Sequence, residues 1–346
     1  MTAWGPDHPL WSAVCGFLGS PGRTSNDIRL EPLPSTRQVY RFTCREGGPG
    51  VVGKLFAAYP PQSPLDRGLV REYANYLWIA RLGLGREAGA LPRLLGRSPH
   101  IGLGLLVEDI PGPDLDHLIM RACGAGEMDR LHGALENLAG LLARWHSRPL
   151  TKHTKHTEHT EHTEIPEIPK SPAASAEALD YFDKVAGQLK ALGFLAPEDE
   201  EFLTEARNTW EERLPKFPDR RVLVHGDATP TNFLFPNGRV VALDLERLRL
   251  ADRLWDLSWV AGELKHAWGW RRGDWQGSEA PIRGFFRAYL SALPGNGALE
   301  ERLHFLNPFY MALAELRIAR NGYLAAPYRR QLIAEARRCL AGGNGS

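Results

Sequence analysis

The stretch HGDATPTN at residues 225–232, with an aspartate twelve residues beyond its asparagine, has residue types and spacing suited to phosphoryl transfer. This reaction requires a carboxylate near the attacking hydroxyl, oxygen ligands for Mg²⁺ and a cation on the nucleotide phosphates. Asp227 can accept or orient the proton of an acceptor hydroxyl. Asn232 offers a neutral amide oxygen and Asp244 a charged oxygen to the metal, because Mg²⁺ favours a few carboxylates and retained waters. His225 is expected to brace the loop rather than to react.

A cation for the nucleotide phosphates is found in the first third of the chain. Lys54 is the only lysine before Lys152, and it lies in the apolar, strand-like run VVGKLF. A buried ammonium needs an anionic partner, because burying an unpaired charge is costly. Glu72 is the natural partner, since it shares the apolar face of the next predicted helix with Leu69 and Tyr76. The sequence therefore predicts a Lys54–Glu72 ion pair.

Each of these residues has a simpler explanation when it is taken alone. An aspartate such as Asp227 is usually a solvated turn residue, Asp244 can cap a strand, and Lys54 can extend out of an edge strand. The whole set would need several separate coincidences, which favours the chemical interpretation. His146, at the end of the helical run LLARWH, is interpreted as a helix C-terminal residue favoured by the helix dipole rather than as a catalytic group.

The same residues resemble the signature of a known family. His225-Gly226-Asp227, Asn232 and Asp244-Leu245-Glu246 are similar, in order and spacing, to the HGD…N…D-x-(D/E) signature of the aminoglycoside phosphotransferase and choline kinase family. The resemblance covers roughly residues 30–340. It implies a two-lobed, protein-kinase-like fold with ATP in the cleft. Agreement in three parts makes the motif set specific, whereas an isolated HGD would be weak.

The resemblance also implies roles for residues of the first third. Lys54 matches the family lysine on the α and β phosphates, and Glu72 matches the helix glutamate that positions it. A segment joining the lobes matches the one whose backbone groups hydrogen-bond adenine. Its residues are Glu108, Asp109 and Ile110.

Two further acidic residues carry over as supporting residues. Asp256, in the run LWDLSW, resembles the helix aspartate that steadies the HGD loop through its backbone amides. Glu246 either contacts the surroundings of the metal or only orients them, and the pattern leaves both open.

The chain departs from the family pattern at two places. The loop between the first two predicted strands reads PLPSTRQVY and has no glycine, so close backbone approach to a phosphate is not expected. Side chains of Ser35, Thr36 or Arg37 are the candidates to replace it. Thr229 stands two residues after Asp227, where many protein kinases carry lysine, so this loop has no cation for the transferring phosphoryl group. This departure favours a small-molecule kinase over a protein kinase.

The sequence therefore predicts an ATP- and Mg²⁺-dependent phosphotransferase with an alcohol group of a small molecule as acceptor. The alternative is a catalytically silent, kinase-like nucleotide-binding scaffold, which the glycine-free loop keeps open. Residues 301–346 contain seven arginines against three glutamates, which favours a neutral or anionic acceptor, such as a sugar or sugar derivative, over a polycationic aminoglycoside. Five tryptophans either stack on sugar faces or belong to the core, namely Trp255, Trp259, Trp268, Trp270 and Trp275.

The elements that must position these residues form a strand-rich first third and a helix-rich remainder, which is typical of an α+β fold. Strands are predicted at about 28–57 and 102–110, and a helix at 63–84 with Ser63 as N-cap and Pro64 in its first turn. Helical patterns dominate after residue 111, including a stretch at 299–340, and a hairpin is predicted at 232–244. We expect an N-terminal nucleotide-binding lobe over 1–110 and a C-terminal helical lobe with the catalytic loop and acceptor site over 111–346.

Within the second lobe, residues 151–170 contain the low-complexity run KHTKHTEHTEHTE. This polar tract is expected to be a solvated insertion, with a histidine metal-binding stripe as the alternative.

Composition excludes several other functions. The formal net charge is +1, so no global field attracts nucleic acid or an anionic membrane. No run approaches the ~18 apolar residues of a membrane span, and the four cysteines lack metal-ligand spacing. We therefore expect a cytoplasmic protein with a small-molecule partner and without a nucleic-acid or membrane partner. The oligomeric state stays open.

Overall fold

The computed structural model describes residues 5–18, 27–35, 37–57, 63–85, 89–148, 174–293 and 297–342. Within these ranges the chain forms two compact units. The first unit contains the described residues up to Gly112 together with Arg239–Arg247, and the rest of the described chain forms the second unit. The segment that carries Asp244 and Glu246 therefore belongs to the first unit, although it follows the HGD loop in the sequence.

The first unit is organised by a five-stranded antiparallel sheet with the strand order β1-β2-β3-β5-β4. Its strands are Ile28–Pro32 (β1), Gln38–Cys44 (β2), Val51–Leu55 (β3), Leu94–Ser98 (β4) and Leu103–Glu108 (β5). Lys54 lies on β3, opposite Val39 of β2 and Leu105 of β5. Because β3 is flanked on both sides, Lys54 is not the edge-strand lysine of the simpler explanation.

Two helices accompany this sheet, Trp11–Phe17 (α1) and Pro64–Arg81 (α2). The predicted start of α2 is confirmed. The Ser63 hydroxyl accepts a hydrogen bond from the Asp66 amide, and the Asp66 carboxylate accepts one from the Ser63 amide. Leu69 and Tyr76 are buried with a glutamate between them, so the predicted apolar stripe with one carboxylate is also present.

The second unit consists mainly of helices. They are Leu115–Ala125 (α3), Met128–Ser147 (α4), Ala174–Ala191 (α5), Pro197–Arg213 (α6), Leu254–Arg272 (α7), Glu279–Ser291 (α8), Gly297–Ala319 (α9) and Ala326–Gly342 (α10). Helices α7 and α9 approach closely, because a Cβ placed on Gly262 would lie 2.5 Å from the Cβ of Ala314. The predicted helical stretch at 299–340 is two helices, α9 and α10, separated by a turn.

Short strands precede and follow the HGD loop in the sequence. Val222–Val224 (β6) leads into the loop and pairs antiparallel with Arg249–Ala251 (β9). Phe233–Leu234 (β7) and Val241–Ala242 (β8) lie within the predicted hairpin region. Asn237 and Gly238 between them have φ angles of 50° and 78°, the left-handed geometry expected of the Pro-Asn-Gly turn.

Two predictions concern long segments of the chain, the polar insertion at 151–170 and the lack of a membrane span. The polar insertion lies outside the described residues. Among the helices that are described, none has the length and apolar character needed to cross a membrane.

Candidate active site

Lys54 is the centre of a cation–carboxylate cluster in the first unit. Its Nζ lies 2.8 Å from both carboxylate oxygens of Glu72 and 2.9 Å from Oδ1 of Asp244. Burial opposes the positive charge, but the charges and hydrogen bonds of Glu72 and Asp244 outweigh it and raise the pKa of Lys54. The predicted ion pair between Lys54 and Glu72 is therefore present, and Asp244 joins it as a second carboxylate.

The backbone of Asp244 has an uncommon conformation for a residue with a side chain. Its φ angle is 56°, in the left-handed region, which costs about 1–3 kcal/mol for such residues and recurs at functional sites. The next residue is fixed by helix α2, because the buried Asn75 donates from Nδ2 to the Leu245 carbonyl oxygen at 2.6 Å. The anchoring of Leu245 helps to hold the Asp244 conformation in which its carboxylate meets Lys54.

Arg37 adds a second cation to this cluster. From the turn between β1 and β2, its guanidinium forms an ion pair with Glu246, and its Nη1 lies 3.9 Å from Asp244 Oδ1. Gly68 of α2 makes room for the pair, because a Cβ there would lie 2.5 Å from Arg37 Nη2 and 2.6 Å from Glu246 Oε2. The glycine-free turn thus brings an arginine side chain to the carboxylates.

Ser35 and Thr36, the other two candidates from this turn, are not shown to contact the carboxylates. The Ser35 hydroxyl accepts a hydrogen bond from the Arg37 amide at 3.1 Å, so it shapes the turn that presents the arginine. Thr36 lies outside the described residues.

The predicted adenine-binding segment follows the end of β5. The Glu108 amide donates to the Arg93 carbonyl oxygen and the Asp109 amide to the Gly50 carbonyl oxygen, both at 2.9 Å. Two of the three amides are thus already used by the protein. The Ile110 amide is the third backbone donor of this segment, and neither of these two hydrogen bonds engages it.

In the second unit, Asp256 at the start of α7 holds the HGD loop. The amides of His225 and Gly226 donate to its two carboxylate oxygens at 2.8 and 2.9 Å. The Asp227 amide donates to His225 Nδ1 at 3.3 Å, and Asn232 Nδ2 donates to the Asp227 carbonyl oxygen at 2.9 Å. These are the contacts expected of His225 and Asp256 as supporting residues. Because the amide nitrogen of Asn232 is engaged inside the loop, its amide oxygen is the atom suited to a cation.

His146 supports the same loop through Asp256. Its buried ring lies 3.2 Å from Asp256 Oδ2 through Nε2 and 2.8 Å from the Tyr289 hydroxyl through Nδ1. Burial lowers the pKa of His146, although the hydrogen bond and charge of Asp256 oppose this effect. Burial also opposes the charge of Asp256, but His146 and the loop amides together hold the pKa of Asp256 below its usual value. His146 does lie in the last turn of α4, as predicted. Its ring contacts Asp256, however, so its position is explained by this contact and not by the helix dipole.

An arginine that the sequence did not single out lies beside Asp227. Nη1 of Arg317, on α9, is 3.9 Å from Asp227 Oδ1, and Nη2 forms an ion pair with Glu263 on α7. The guanidinium carbon lies 5.4 Å from the centroid of the Trp259 ring, at cation–π distance. The HGD loop has no lysine or arginine of its own, and the cation beside Asp227 comes from helix α9.

The tryptophans of the second unit divide between core and surface. Trp255, Trp259 and Trp268 are each 3% exposed, so for these three the core interpretation holds. Trp270 is 49% exposed, and the ring of Trp275 is stacked on a tyrosine ring 6.0 Å away. Of the five candidates, only the last two have surface available to a sugar.

Carboxylates from other helices and loops pair with several arginines of residues 301–346 and so offset part of their excess. The ion pairs include Arg302 with Asp252, Arg317 with Glu263 and Arg337 with Asp199. Because those partners lie outside the counted segment, the count does not measure the electrostatic field that an acceptor would meet. The argument against a cationic acceptor loses its physical support.

Comparison with known proteins identifies the family to which the chain belongs. The family model of the phosphotransferase enzyme family (APH) matches residues 30–306. No match is found among curated proteins. Because the family model covers most of the chain, the chain belongs to this phosphotransferase family.

Solved structures share the fold at low sequence identity. Aminoglycoside phosphotransferase APH(2'')-Ib, bound to ADP, has a TM-score of 0.58 and 15% identity over 97% of this chain and 99% of that one. Choline kinase from Cryptosporidium parvum has a TM-score of 0.57 and 11% identity over 96% and 93%. Aminoglycoside phosphotransferase APH(3'')-Id from Streptomyces rimosus has a TM-score of 0.52 and 21% identity over 89% and 98%.

These findings confirm the family resemblance and the fold class predicted from the sequence, an α+β, protein-kinase-like fold. The predicted enzyme class, a phosphotransferase with an alcohol group as acceptor, is confirmed as well.

Proposed function

We propose that the protein is an ATP- and Mg²⁺-dependent phosphotransferase that acts on a hydroxyl group of a small molecule. One observation carries the proposal. Lys54 Nζ lies within 2.9 Å of the fully buried Glu72 and of Asp244, a carboxylate with 32% exposed side-chain surface. Phosphoryl transfer by kinases needs a lysine that a glutamate holds in place and a metal-binding carboxylate, and Lys54, Glu72 and Asp244 supply these three groups side by side.

In this proposal the first unit binds the nucleotide. Lys54 neutralises the α and β phosphates, and Glu72 fixes its position. The Ile110 amide, just after the end of β5, donates a hydrogen bond to adenine. Glu108 and Asp109 belong to the same adenine-binding segment and hold its backbone in place. Ser35 and Thr36 belong to the turn that takes the place of a glycine-rich loop, and Arg37 is its cationic side chain.

The donor set fits magnesium rather than a softer metal. Among the described residues, no group of three or more His, Cys, Asp or Glu side chains could hold a metal ion, which argues against a zinc-type site. We assign Asp244 and Asn232 as the protein ligands, one carboxylate and one amide, with water and phosphate oxygens for the rest. The ion would neutralise phosphate charge. Because Glu246 is already paired with Arg37, we assign it to orienting the ligand segment rather than to the metal.

The second unit supplies the group that handles the acceptor proton. The acceptor oxygen forms a bond to the γ-phosphorus while the bond from that phosphorus to the bridging oxygen of ADP breaks. ADP leaves with the electron pair, and the hydroxyl proton passes to the Asp227 carboxylate. His225 and Asp256 hold the loop that presents Asp227 by accepting hydrogen bonds from its backbone amides at 2.8–3.3 Å.

For the acceptor we propose a small hydroxyl compound, with a sugar or sugar derivative as one candidate class. The family assignment supports a small molecule, and the structural neighbours include a streptomycin complex of one enzyme and a choline kinase. Aminoglycosides and amino alcohols therefore belong in the same screen as neutral sugars.

The test is acceptor-dependent release of ADP from Mg-ATP across a library of hydroxyl compounds. Asp227→Asn should lower the rate by about 100-fold or more while nucleotide binding persists, because the lost group acts only on the acceptor. Asp244→Asn should weaken Mg-dependent nucleotide binding itself. Glu198→Gln, an exposed carboxylate of α6, is the matched control and should behave as wild type.

A silent nucleotide-binding scaffold is the second candidate, because the turn between β1 and β2 has no glycine. It predicts Mg-ATP binding without ADP release from any acceptor, and with no difference between the wild type and Asp227→Asn. That result would overturn the enzymatic proposal.

A further inference from the structure

Arg317 is held in place from two sides within the second unit. One guanidinium nitrogen is taken by Glu263 of α7, and the guanidinium lies against Trp259, 5.4 Å from the centroid of its ring. Its other terminal nitrogen, Nη1, lies 3.9 Å from Asp227 Oδ1. The side chains of Arg317 and Asp227 are each 17% exposed, so this contact is only weakly screened by water.

A purely structural role explains this arrangement poorly. Buried ion pairs such as Arg317–Glu263 are often matched or exceeded in stability by apolar residues of similar volume, because both charges lose their hydration. Helices α7 and α9 already pack through Gly262 and Ala314 without the pair. Moreover, Nε of Arg317 is buried and has no hydrogen-bond partner within the described part of the chain, which a residue selected for stability alone would avoid.

The charge of Arg317 is secure despite its burial. Burial opposes it, but the neighbouring carboxylates, Glu263 before Asp227, outweigh this effect and raise the pKa of Arg317. The side chain therefore presents a permanent, fixed cation to Asp227. The loop HGDATPTN has no lysine or arginine of its own that could do this.

We propose that Arg317 is a positioning residue for Asp227, fixed by Glu263, and that it restricts the Asp227 carboxylate to the orientation needed at the acceptor hydroxyl. This inference rests on the proposed function, in which Asp227 receives the proton of the acceptor. Arg317 gains and loses no proton in the reaction and acts only through Asp227. Misplacing a reacting group by about 1 Å can cost about 100-fold in rate, which sets the scale of the effect.

The test compares Arg317→Met with Arg317→Lys, each in the wild-type protein and in the Asp227→Asn background. The measured quantity is ADP release from Mg-ATP, with the acceptor found in the library screen or, without one, with water as acceptor. In the wild-type background, Arg317→Met should lower kcat by about 10- to 100-fold and leave KM for ATP within about twofold, and Arg317→Lys should recover part of the loss. In the Asp227→Asn background the same change should cost less than about twofold, because the residue it positions is already gone.

Two controls separate this role from loss of structure. Arg330→Met removes an exposed arginine of helix α10, and it should keep the wild-type kcat. Glu263→Gln should reproduce much of the Arg317→Met loss, because it releases the guanidinium. Thermal unfolding of every variant shows whether a lost rate reflects a lost fold.

The outcomes are distinguishable. Wild-type kcat in Arg317→Met, or an equal fractional loss in both backgrounds, overturns the inference while the proposed function stands. An equal rate of ADP release from the wild type and Asp227→Asn overturns the proposed function and this inference with it.

Discussion

Replacing Glu72 by glutamine tests whether the Lys54 cluster is built as described. Both carboxylate oxygens of Glu72 lie 2.8 Å from Lys54 Nζ, and the residue is fully buried. Removing one partner of a buried ion pair usually costs about 3–5 kcal/mol. Here Asp244 stays 2.9 Å from the same ammonium, and the glutamine oxygen can still accept one hydrogen bond. We therefore expect Glu72→Gln to lower the free energy of unfolding by about 2–3 kcal/mol.

Asp244→Asn is the matched comparison. Its side chain is 32% exposed and Lys54 keeps Glu72, so we expect a cost of about 1 kcal/mol or less. Urea unfolding at neutral pH measures both variants. The effects on ligand binding should follow the opposite order. Mg-ATP at a hundred times its Kd raises the free energy of unfolding by about 2.7 kcal/mol. It should stabilise Glu72→Gln in this way and largely fail to stabilise Asp244→Asn. A Glu72→Gln variant as stable as the wild type, or an Asp244→Asn variant less stable than Glu72→Gln, would refute the reasoning.

Two further predictions concern the second unit. Burial, with smaller effects of Arg317 and Arg271, lowers the pKa of His266 from 6.5 to about 4, so the unfolded chain binds this proton more readily than the folded one. The free energy of unfolding should therefore fall by up to about 3 kcal/mol as the pH is lowered from ~6.5 to ~4. In His266→Gln the fall should be clearly smaller. Equal pH dependence of the wild type and the variant would contradict the assignment. Gly262→Ala forces a Cβ to within 2.5 Å of Ala314 and should cost about 1–3 kcal/mol in urea unfolding, whereas Gly284→Ala on α8, with open space around its Cβ, should not destabilise.

The features that could be predicted from the sequence are those in which a local pattern conflicts with burial. A lysine in an apolar strand and a glutamate in an apolar helix stripe each need a partner, and the Lys54–Glu72 pair follows from that requirement alone. The start of α2 was equally predictable, because Ser63 and Pro64 act on their own neighbours. Strand β4 has no such signal. Its residues, LLGRS, are all half-buried and its register with β5 shifts twice, so no clean alternation marks it.

The carboxylate partners of Arg37 and Arg317 could not be predicted in the same way. The glycine-free turn made Arg37 a candidate, but both arginines meet their carboxylates across long sequence separations, and nothing local distinguishes Arg317 from the other cations in a chain with 42 lysines and arginines. An indirect signal exists for Arg37. Gly68 interrupts the helical pattern of α2, and an isolated glycine inside a helix often marks a close approach, here by the Arg37–Glu246 pair. The sequence count of charges at 301–346 failed for the same reason, since it omitted partners from elsewhere.

The buried charges around the two candidate clusters share one design. In each unit, a carboxylate with little exposed surface is matched by a cation from a different element. The pairs are Glu72 with Lys54, Glu246 with Arg37, and Glu263 with Arg317. Since apolar residues of similar volume would often hold the same helices and strands at least as firmly, stability alone is a weak explanation for these three pairs. Each pair instead fixes the direction of a charged group, which is the property that phosphoryl transfer demands of a protein.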